Sequence, residues 1–130
     1  MEKTVYSLGW LNEAAAGYKV PISLVTGANG FLFIAGLPPF SPKTLKLVRG
    51  DTLVQTRQVL ENLKFAVEHV GSTMDKVVKT VFYTTNSAYF AEINEIFYEF
   101  FPKDPPVRTF VTVGSWPREF DVEIDAIALA

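Results

Sequence analysis

The chain has 130 residues, enough for one domain with a single hydrophobic core, and we expect residues 1–130 to form that domain. Apolar residues make up 48% of it, but they include no run of about 18 residues that would span a membrane, so we expect no membrane partner. The net charge is −2 and the basic residues are scattered, whereas nucleic-acid binding needs clustered positive charge, so we expect no nucleic-acid partner.

The absence of cysteine and the presence of one histidine, His69, limit the chemistry further. Thiol catalysis, disulfides and His-rich metal sites are excluded, and we expect no metal. The chain lacks Gly-x-Gly-x-x-Gly, a Walker loop, Gly-x-Ser-x-Gly and His-Glu-x-x-His, so no nucleotide, hydrolase-triad or zincin site is favoured. The first residues lack the basic start and apolar core of a signal peptide, which predicts a cytoplasmic location.

The N-terminal third predicts three strands. Residues 3–7 form a short first strand, and the pattern then becomes irregular over residues 8–19, which we interpret as a closely packed loop. Residues 22–26 and 31–37 predict a hairpin, because Asn29-Gly30 between apolar runs favours a turn with positive φ.

A proline-rich segment and a long helix follow. The prolines of residues 38–42 forbid regular structure and make this segment a candidate rim for a site. Asp51 is a good N-cap for a helix that Gly71 ends. Apolar residues at steps of three and four predict one buried face, and the polar residues predicted to point outward are Gln55, Gln58, Asn62 and Glu68.

The next segments predict a strand and a second helix. Residues 77–84 are rich in β-branched and aromatic residues, as strands are. Ser87 is a candidate cap for a helix with Asn94 at the edge of its apolar stripe, which consists of Phe90, Ile93, Phe97 and Phe100. The predicted fold class is α+β, with two helices packed on one face of a mixed β-sheet.

Two strands near the C-terminus carry the most informative pair of residues. Residues 105–111 and 121–128 alternate as strands do, and a turn-rich connection separates them. A symmetric hairpin would place Arg108 directly opposite Glu123, on one face of the sheet. Such a pair is either a solvated ion pair of little energetic value or a functional pair.

These strands, together with other segments, resemble the Rid (reactive intermediate deaminase) family, also called the YjgF family. The first signature is Pro-Val-Arg-Thr-Phe-Val at residues 106–111, and the second is Asp-Val-Glu-Ile-Asp-Ala-Ile-Ala at residues 121–128. The resemblance runs in order from about Val25 to Ala130. It implies a chorismate-mutase-like fold, a homotrimer with sites in clefts between subunits, and no cofactor.

The resemblance also implies an activity and a set of site residues. Members of the family that carry the arginine hydrolyse enamines and imines, such as 2-aminoacrylate, to 2-oxo acids and ammonia. Arg108 matches the residue that holds the substrate carboxylate, and Glu123 matches the one that positions water and handles protons. Gly36 matches a position where the backbone approaches the ligand, and Asn94 and Tyr18 match pocket positions.

Three positions depart from the family pattern. Phe110 stands where cysteine is frequent, Ala35 where a small hydroxyl residue is frequent, and Ala16-Gly17-Tyr18 where Gly-Pro-Tyr is frequent. A bulky Phe110 reshapes the substrate pocket, so a larger enamine such as 2-aminomuconate is an alternative substrate. A non-catalytic binder of small carboxylates is a second alternative. Ribonuclease activity, ascribed to some members, is a third, and the acidic pI of about 5.4 argues against it.

Overall fold

A computed structural model of the protein, which describes residues 2–130, confirms the α+β class. Within these residues six strands form one mixed sheet in the order β1-β2-β3-β6-β4-β5, and there are three α-helices where two were predicted. The element bounds are β1 Thr4–Tyr6, α1 Trp10–Ala16, β2 Val25–Ala28, β3 Phe31–Leu37, α2 Thr52–His69, β4 Val77–Thr84, α3 Phe90–Phe100, β5 Val107–Thr112 and β6 Val122–Leu129.

The additional helix is α1, in the segment that we predicted to be an irregular loop. Its seven residues include an alanine run, and alanine has the highest helix propensity. The helix buries Leu11 and Ala14, and Asn12 Oδ1 accepts a hydrogen bond from the Leu8 N–H at 2.6 Å. So short a helix is stabilised by tertiary packing rather than by its own sequence, which is why periodicity did not reveal it.

Helix α2 begins and ends as predicted, but two of the polar residues that we predicted to point outward are buried. Asp51 caps it by accepting from the N–H groups of Leu53 and Val54, and Gly71 follows its end with φ of +92°. Asn62, expected to be outward, is only 1% exposed. It donates to the carbonyls of residues 38 and 40, at 3.1 and 3.0 Å. The proline-rich segment therefore lies over α2, and the buried carbonyls of this segment need a hydrogen-bond donor from the helix.

Helix α3 starts later than predicted. Asn86, rather than Ser87, caps a 3₁₀ turn by accepting from the Ala88 N–H at 2.9 Å, and the α-helix begins at Phe90. Its buried face is formed by Ile93, Ile96 and Phe97, whereas Phe90 of the predicted stripe is 46% exposed.

The predicted hairpin of the last two strands is wrong, because β4 lies between them. β5 pairs with β4 in parallel, with Arg108 opposite Thr80. β6 pairs with β4 antiparallel, with Glu123 opposite Tyr83. The connection over residues 113–121 is long enough to cross the end of β4, to which it is hydrogen-bonded at Thr84. Every strand has two edges that can hydrogen-bond to a neighbour, and an alternating pattern does not identify which strands pair.

The two faces of the sheet have different surroundings. On one face, α2 covers the buried side chains of β6, which are Val122, Ile124, Ala126 and Ala128, and α3 packs beside α2. The opposite face, called here the open face, is not covered by α2 or α3 and carries large apolar side chains, including Phe31 (39% exposed), Phe33 (44%) and Leu129 (42%).

Candidate functional site

A bulge between β3 and β6 brings Glu123 against Gly36. The register of this pair shifts between Ile34 and Leu37, so Gly36 falls beside the side chain of Glu123. A Cβ atom on Gly36 would lie 2.7 Å from Glu123 Cδ and 2.8 Å from Oε2. The Glu123 carboxylate therefore rests on the backbone of Gly36, an approach that only glycine permits.

Glu123 faces a cavity of about 250 Å³, called here the Glu123 cavity. It lies among the segment between α1 and β2, the proline-rich segment and the connection before β6. Most of its lining is aliphatic or aromatic, and Tyr18 and Gly36, both predicted site residues, contribute to it. The remaining lining residues are Leu11, Ala15, Val20, Ile22, Leu24, Leu37, Pro38, Phe40, Trp116, Pro117, Arg118 and Phe120.

The surroundings of Glu123 favour its protonated form. Burial raises the pKa of its carboxyl, an interaction with the Trp116 indole partly offsets this rise, and the charge of Asp125 adds to it. A raised pKa on a carboxyl that faces a cavity is one mark of a general acid–base group, so Glu123 is a candidate for that role.

The connection that precedes β6 is anchored by Gln55, which we predicted to be outward and which is only 4% exposed. Its Nε2 donates to Asp121 Oδ2 at 3.1 Å and to the Gly50 carbonyl at 3.0 Å. Its Oε1 accepts from the Asp121 N–H at 2.7 Å, and Thr85 Oγ1 lies 3.0 Å from Asp121 Oδ1. Asp121 is two residues before Glu123, so these bonds fix the start of the strand that carries the carboxylate.

Aromatic stacking shapes the wall of the Glu123 cavity. The Tyr18 ring stacks on Phe40 with centroids 5.4 Å apart, and Arg118 Cζ lies 4.6 Å from the Tyr18 centroid. Trp116 stacks on Phe120 at 4.6 Å. Sequence reasoning missed Trp116 and Arg118, although a tryptophan inside a turn-rich connection was a signal that the connection packs against something.

Arg108 lines a second cavity of about 250 Å³, called here the Arg108 cavity. Its Nη2 donates to Asn94 Oδ1 at 2.8 Å, and its Cζ lies 4.7 Å from the Phe97 ring centroid. Among residues 2–130 the only ion pair is Arg57–Glu99, so no carboxylate of its own chain neutralises Arg108. Burial lowers the pKa of the guanidinium from its ordinary high value, and the group stays charged. Asn94 thus orients Arg108 while leaving other N–H donors free for an anion.

Phe110 packs beside Arg108 instead of beside Glu123. Its ring stacks on Phe82 at 5.5 Å and meets Phe90 edge-on at 4.9 Å. Arg108 Cζ lies 5.6 Å from the Phe110 centroid. Phe110 therefore forms part of the apolar support of the guanidinium.

The predicted site residues fall into two sets that do not meet within one chain. Arg108, Asn94 and Phe110 form one set, and Glu123, Gly36 and Tyr18 form the other. Arg108 shares the helix-covered face with Thr80 and Ala126, whereas Glu123, three residues from Ala126, points to the opposite face. The Cα atoms of Arg108 and Glu123 lie two strand spacings apart across the sheet and three residues apart along it, which is a distance of about 14 Å.

Two classes of feature are absent from residues 2–130. No three side chains of the types that bind metals cluster there. No helix in this range is long and apolar enough to cross a membrane.

Comparisons of the sequence and of the structure with known proteins point to the same family. The model of the family described as Endoribonuclease L-PSP matches residues 13–130. A RutC family protein of Pyrococcus horikoshii is 43% identical over 108 residues, which are 83% of this chain and 86% of the relative. A Rid family protein of Yersinia pestis has a similar structure, with a TM-score of 0.83 and 33% identity over 99% of this chain and all of that one. The E. coli protein TdcF, solved with bound serine, has a TM-score of 0.79 and 30% identity over 85% of this chain and 89% of its own.

Proposed function

The chain belongs to the YjgF/RutC/Rid family, and from this premise we propose that it is an enamine/imine deaminase that needs no cofactor. Its substrates are reactive 2-imino or 2-enamino acids similar to 2-aminoacrylate, and its products are 2-oxo acids and ammonia. The observation that carries the proposal is Glu123, a partly buried carboxyl with a raised pKa that rests on Gly36 and faces a cavity. Among residues 2–130 the charged Arg108 has no acidic partner, which leaves its guanidinium available to bind a substrate carboxylate.

We further propose a homotrimer in which two neighbouring subunits build each site. One subunit supplies Arg108, Asn94 and Phe110, and the partner subunit's Glu123, Gly36 and Tyr18 complete the cleft. Two observations support this arrangement. The two sets lie on opposite faces of one sheet, and Arg108 lies on β5, an edge strand that another copy can approach. The apolar open face is a surface that oligomerisation would bury.

The chemistry follows from the two groups. The guanidinium of Arg108 binds the substrate carboxylate in a bidentate manner and thereby fixes the position of the C=N carbon. The Glu123 carboxylate takes one proton from water as the water oxygen bonds to this carbon, and it passes that proton to the imine nitrogen, which gives a neutral carbinolamine. Glu123 then takes the proton of the carbinolamine hydroxyl and delivers it to the amino nitrogen, so the C–N bond breaks as the C=O bond forms. The water supplies the oxygen of the 2-oxo acid, and ammonia leaves.

Three alternative functions stand beside the deaminase proposal. Arg108 and Asn94 alone would bind a small carboxylate without turnover, and the E. coli relative binds serine, a small molecule with a carboxylate. A larger enamine such as 2-aminomuconate would undergo the same reaction. The family description also names an endoribonuclease. The net charge of this chain is −2, which disfavours binding of RNA.

The test is turnover with defined substrates. An imine generated in place by an amino-acid oxidase should disappear faster with the protein than with buffer, and ammonia should appear in equal amount. Binding of pyruvate without faster hydrolysis of any imine would favour the carboxylate binder. Cleavage of RNA by protein freed of contaminating nuclease, in the absence of imine hydrolysis, would replace the proposal.

A further inference from the structure

The Glu123 cavity has a mostly apolar lining, whereas the side chain of 2-aminoacrylate is a single methylene group. Its volume of about 250 Å³ approaches the lower end of the range of small-molecule sites, roughly 300–1,000 Å³. Glu123 and Arg118 are its only charged lining residues within the described part of the chain. Arg118 is exposed, and its guanidinium lies over the Tyr18 ring.

The geometry of the reaction assigns a direction to each part of the substrate. The C=N carbon of a 2-imino acid is planar and has three substituents: the carboxylate, the nitrogen and the side chain. In the proposed site Arg108 holds the carboxylate and Glu123 acts at the nitrogen and the water. The third substituent is then left to face the apolar surface next to Glu123, which includes Ile22, Phe40 and Trp116.

We infer that the Glu123 cavity is the subsite for the substrate side chain and that it selects 2-imino acids with branched aliphatic or aromatic side chains. This inference rests on the proposed deaminase function. Each methylene that the cavity removes from water favours binding about fourfold, so side chains of four to seven carbons gain most. A second carboxylate would meet mostly apolar walls close to Glu123, with only the exposed Arg118 to pair with, which disfavours imines derived from acidic amino acids.

The first test compares substrates with the unmodified protein. Amino-acid oxidases generate imines from alanine, leucine, phenylalanine and glutamate, and the rate of each hydrolysis is measured by trapping the remaining imine with semicarbazide. We expect kcat/KM for the leucine and phenylalanine imines to exceed that for the alanine imine by at least about tenfold. We expect the glutamate imine to be the poorest of the four. Equal values, or a preference for the glutamate imine, would overturn the assignment of the subsite.

The second test changes the volume of the cavity. Ala15 lines the cavity, and Ala16 on the same helix is exposed and does not, so Ala15→Leu and Ala16→Leu are matched changes. Ala15→Leu should lower the leucine-to-alanine ratio of kcat/KM about tenfold, whereas Ala16→Leu should leave both values unchanged. A ratio unaffected by Ala15→Leu in a folded protein would contradict the inference.

A binding measurement separates failure of the inference from failure of the proposed function. If no imine is hydrolysed, the deaminase proposal fails. The subsite can then still be assessed from the affinities of 2-oxo acids measured by titration calorimetry. We expect 4-methyl-2-oxopentanoate to bind at least about tenfold more tightly than pyruvate, and Ala15→Leu to remove this difference. Equal affinities would refute the apolar subsite by itself.

Discussion

The Glu123 carboxylate lies where the side chain of any other residue at position 36 would begin, because a Cβ atom on Gly36 would come within 2.7 Å of Glu123 Cδ. The two residues are far apart in sequence, and the bulge between β3 and β6 brings them together. The φ angle of Gly36 is not in the positive region that favours glycine. The requirement for glycine at this position therefore comes from space for the carboxylate and not from the backbone conformation.

Gly36→Ala should consequently damage catalysis more than folding. The methyl group would displace the flexible end of Glu123, and misplacing a catalytic group by about 1 Å costs roughly 100-fold in rate. We expect a fall in kcat of this size, with thermal unfolding close to that of the unmodified protein. Gly114→Ala is the matched control, because a Cβ atom there would meet no atom within 4 Å. Full turnover by Gly36→Ala would mean that Glu123 is not the reacting group.

Removal of the Glu123 charge should abolish acid–base catalysis and leave the binding of a carboxylate ligand intact. Glu123→Gln should still bind pyruvate, since Arg108 is untouched, while imine hydrolysis falls by about 100- to 10,000-fold. Because burial raises the pKa of Glu123, the ionised form is lost as the pH falls through that raised value, and kcat of the unmodified protein should decline there. Rate measurements as a function of pH check the loss of hydrolysis and the pH dependence of kcat, and titration with pyruvate checks binding.

The same raised pKa predicts a dependence of stability on pH. A carboxyl whose folded pKa lies above its unfolded value of about 4.3 stabilises the fold fully below the unfolded pKa. This contribution is lost as the pH rises through the folded pKa. Glu123→Gln should therefore raise the melting temperature at pH 7 but not at pH 4. A melting temperature that falls equally at both pH values would contradict the raised pKa.

Arg108 should not be replaceable by lysine. An ammonium retains the charge but loses the planar fork that binds a carboxylate in a bidentate manner, and it loses the stacking on Phe97. Loss of a hydrogen bond to a charged group costs about 1.5–3 kcal/mol, so we expect Arg108→Lys to weaken pyruvate binding by at least about tenfold. Arg57→Lys, which alters the exposed ion pair with Glu99, is the control and should bind normally. Titration calorimetry measures both variants, and normal affinity in Arg108→Lys would remove the anchoring role.

Mixing two inactive variants tests whether a site is shared between subunits. Arg108→Ala and Glu123→Gln should each be inactive as homotrimers. If Arg108 of one subunit acts with the partner subunit's Glu123, dissociating and reassembling an equal mixture should give unmodified residues in about a quarter of the sites. Activity should recover to about that fraction, and the recovery should disappear when the variants are mixed without subunit exchange. A mixture as inactive as its components would show that the two residues do not act in one shared site.

The open face of the sheet should hold the trimer together. Phe33→Glu places a charge on an apolar surface that the proposed assembly buries, so the trimer should dissociate and turnover should fall. Val54→Glu adds the same charge at a side chain of α2 that is 49% exposed and should leave the trimer intact. Sedimentation equilibrium at micromolar concentration distinguishes the two outcomes. A monomeric unmodified protein would exclude the assembly and the shared site together.

Local features of the sequence predicted most of the elements. Asp51 and Gly71 delimited α2, and Asn29-Gly30 placed the β2–β3 turn, because caps and turns are set by neighbouring residues. Gln55 was predicted to be exposed because helical periodicity is read from apolar residues alone. Its burial comes from partners 66 residues away, at Asp121, and 5 residues away, at Gly50.

The sequence by itself determined the fold class, the family signatures and the identity of Arg108 and Glu123 as the candidate pair. Only the tertiary structure decided that β4 lies between their strands and that they point to opposite faces. Alternation specifies which residues share a face within one strand, but the choice of neighbouring strands depends on packing against the helices and on the path of the connections. For this reason the sequence placed the guanidinium beside the carboxylate, whereas in the folded chain one strand, β4, lies between them.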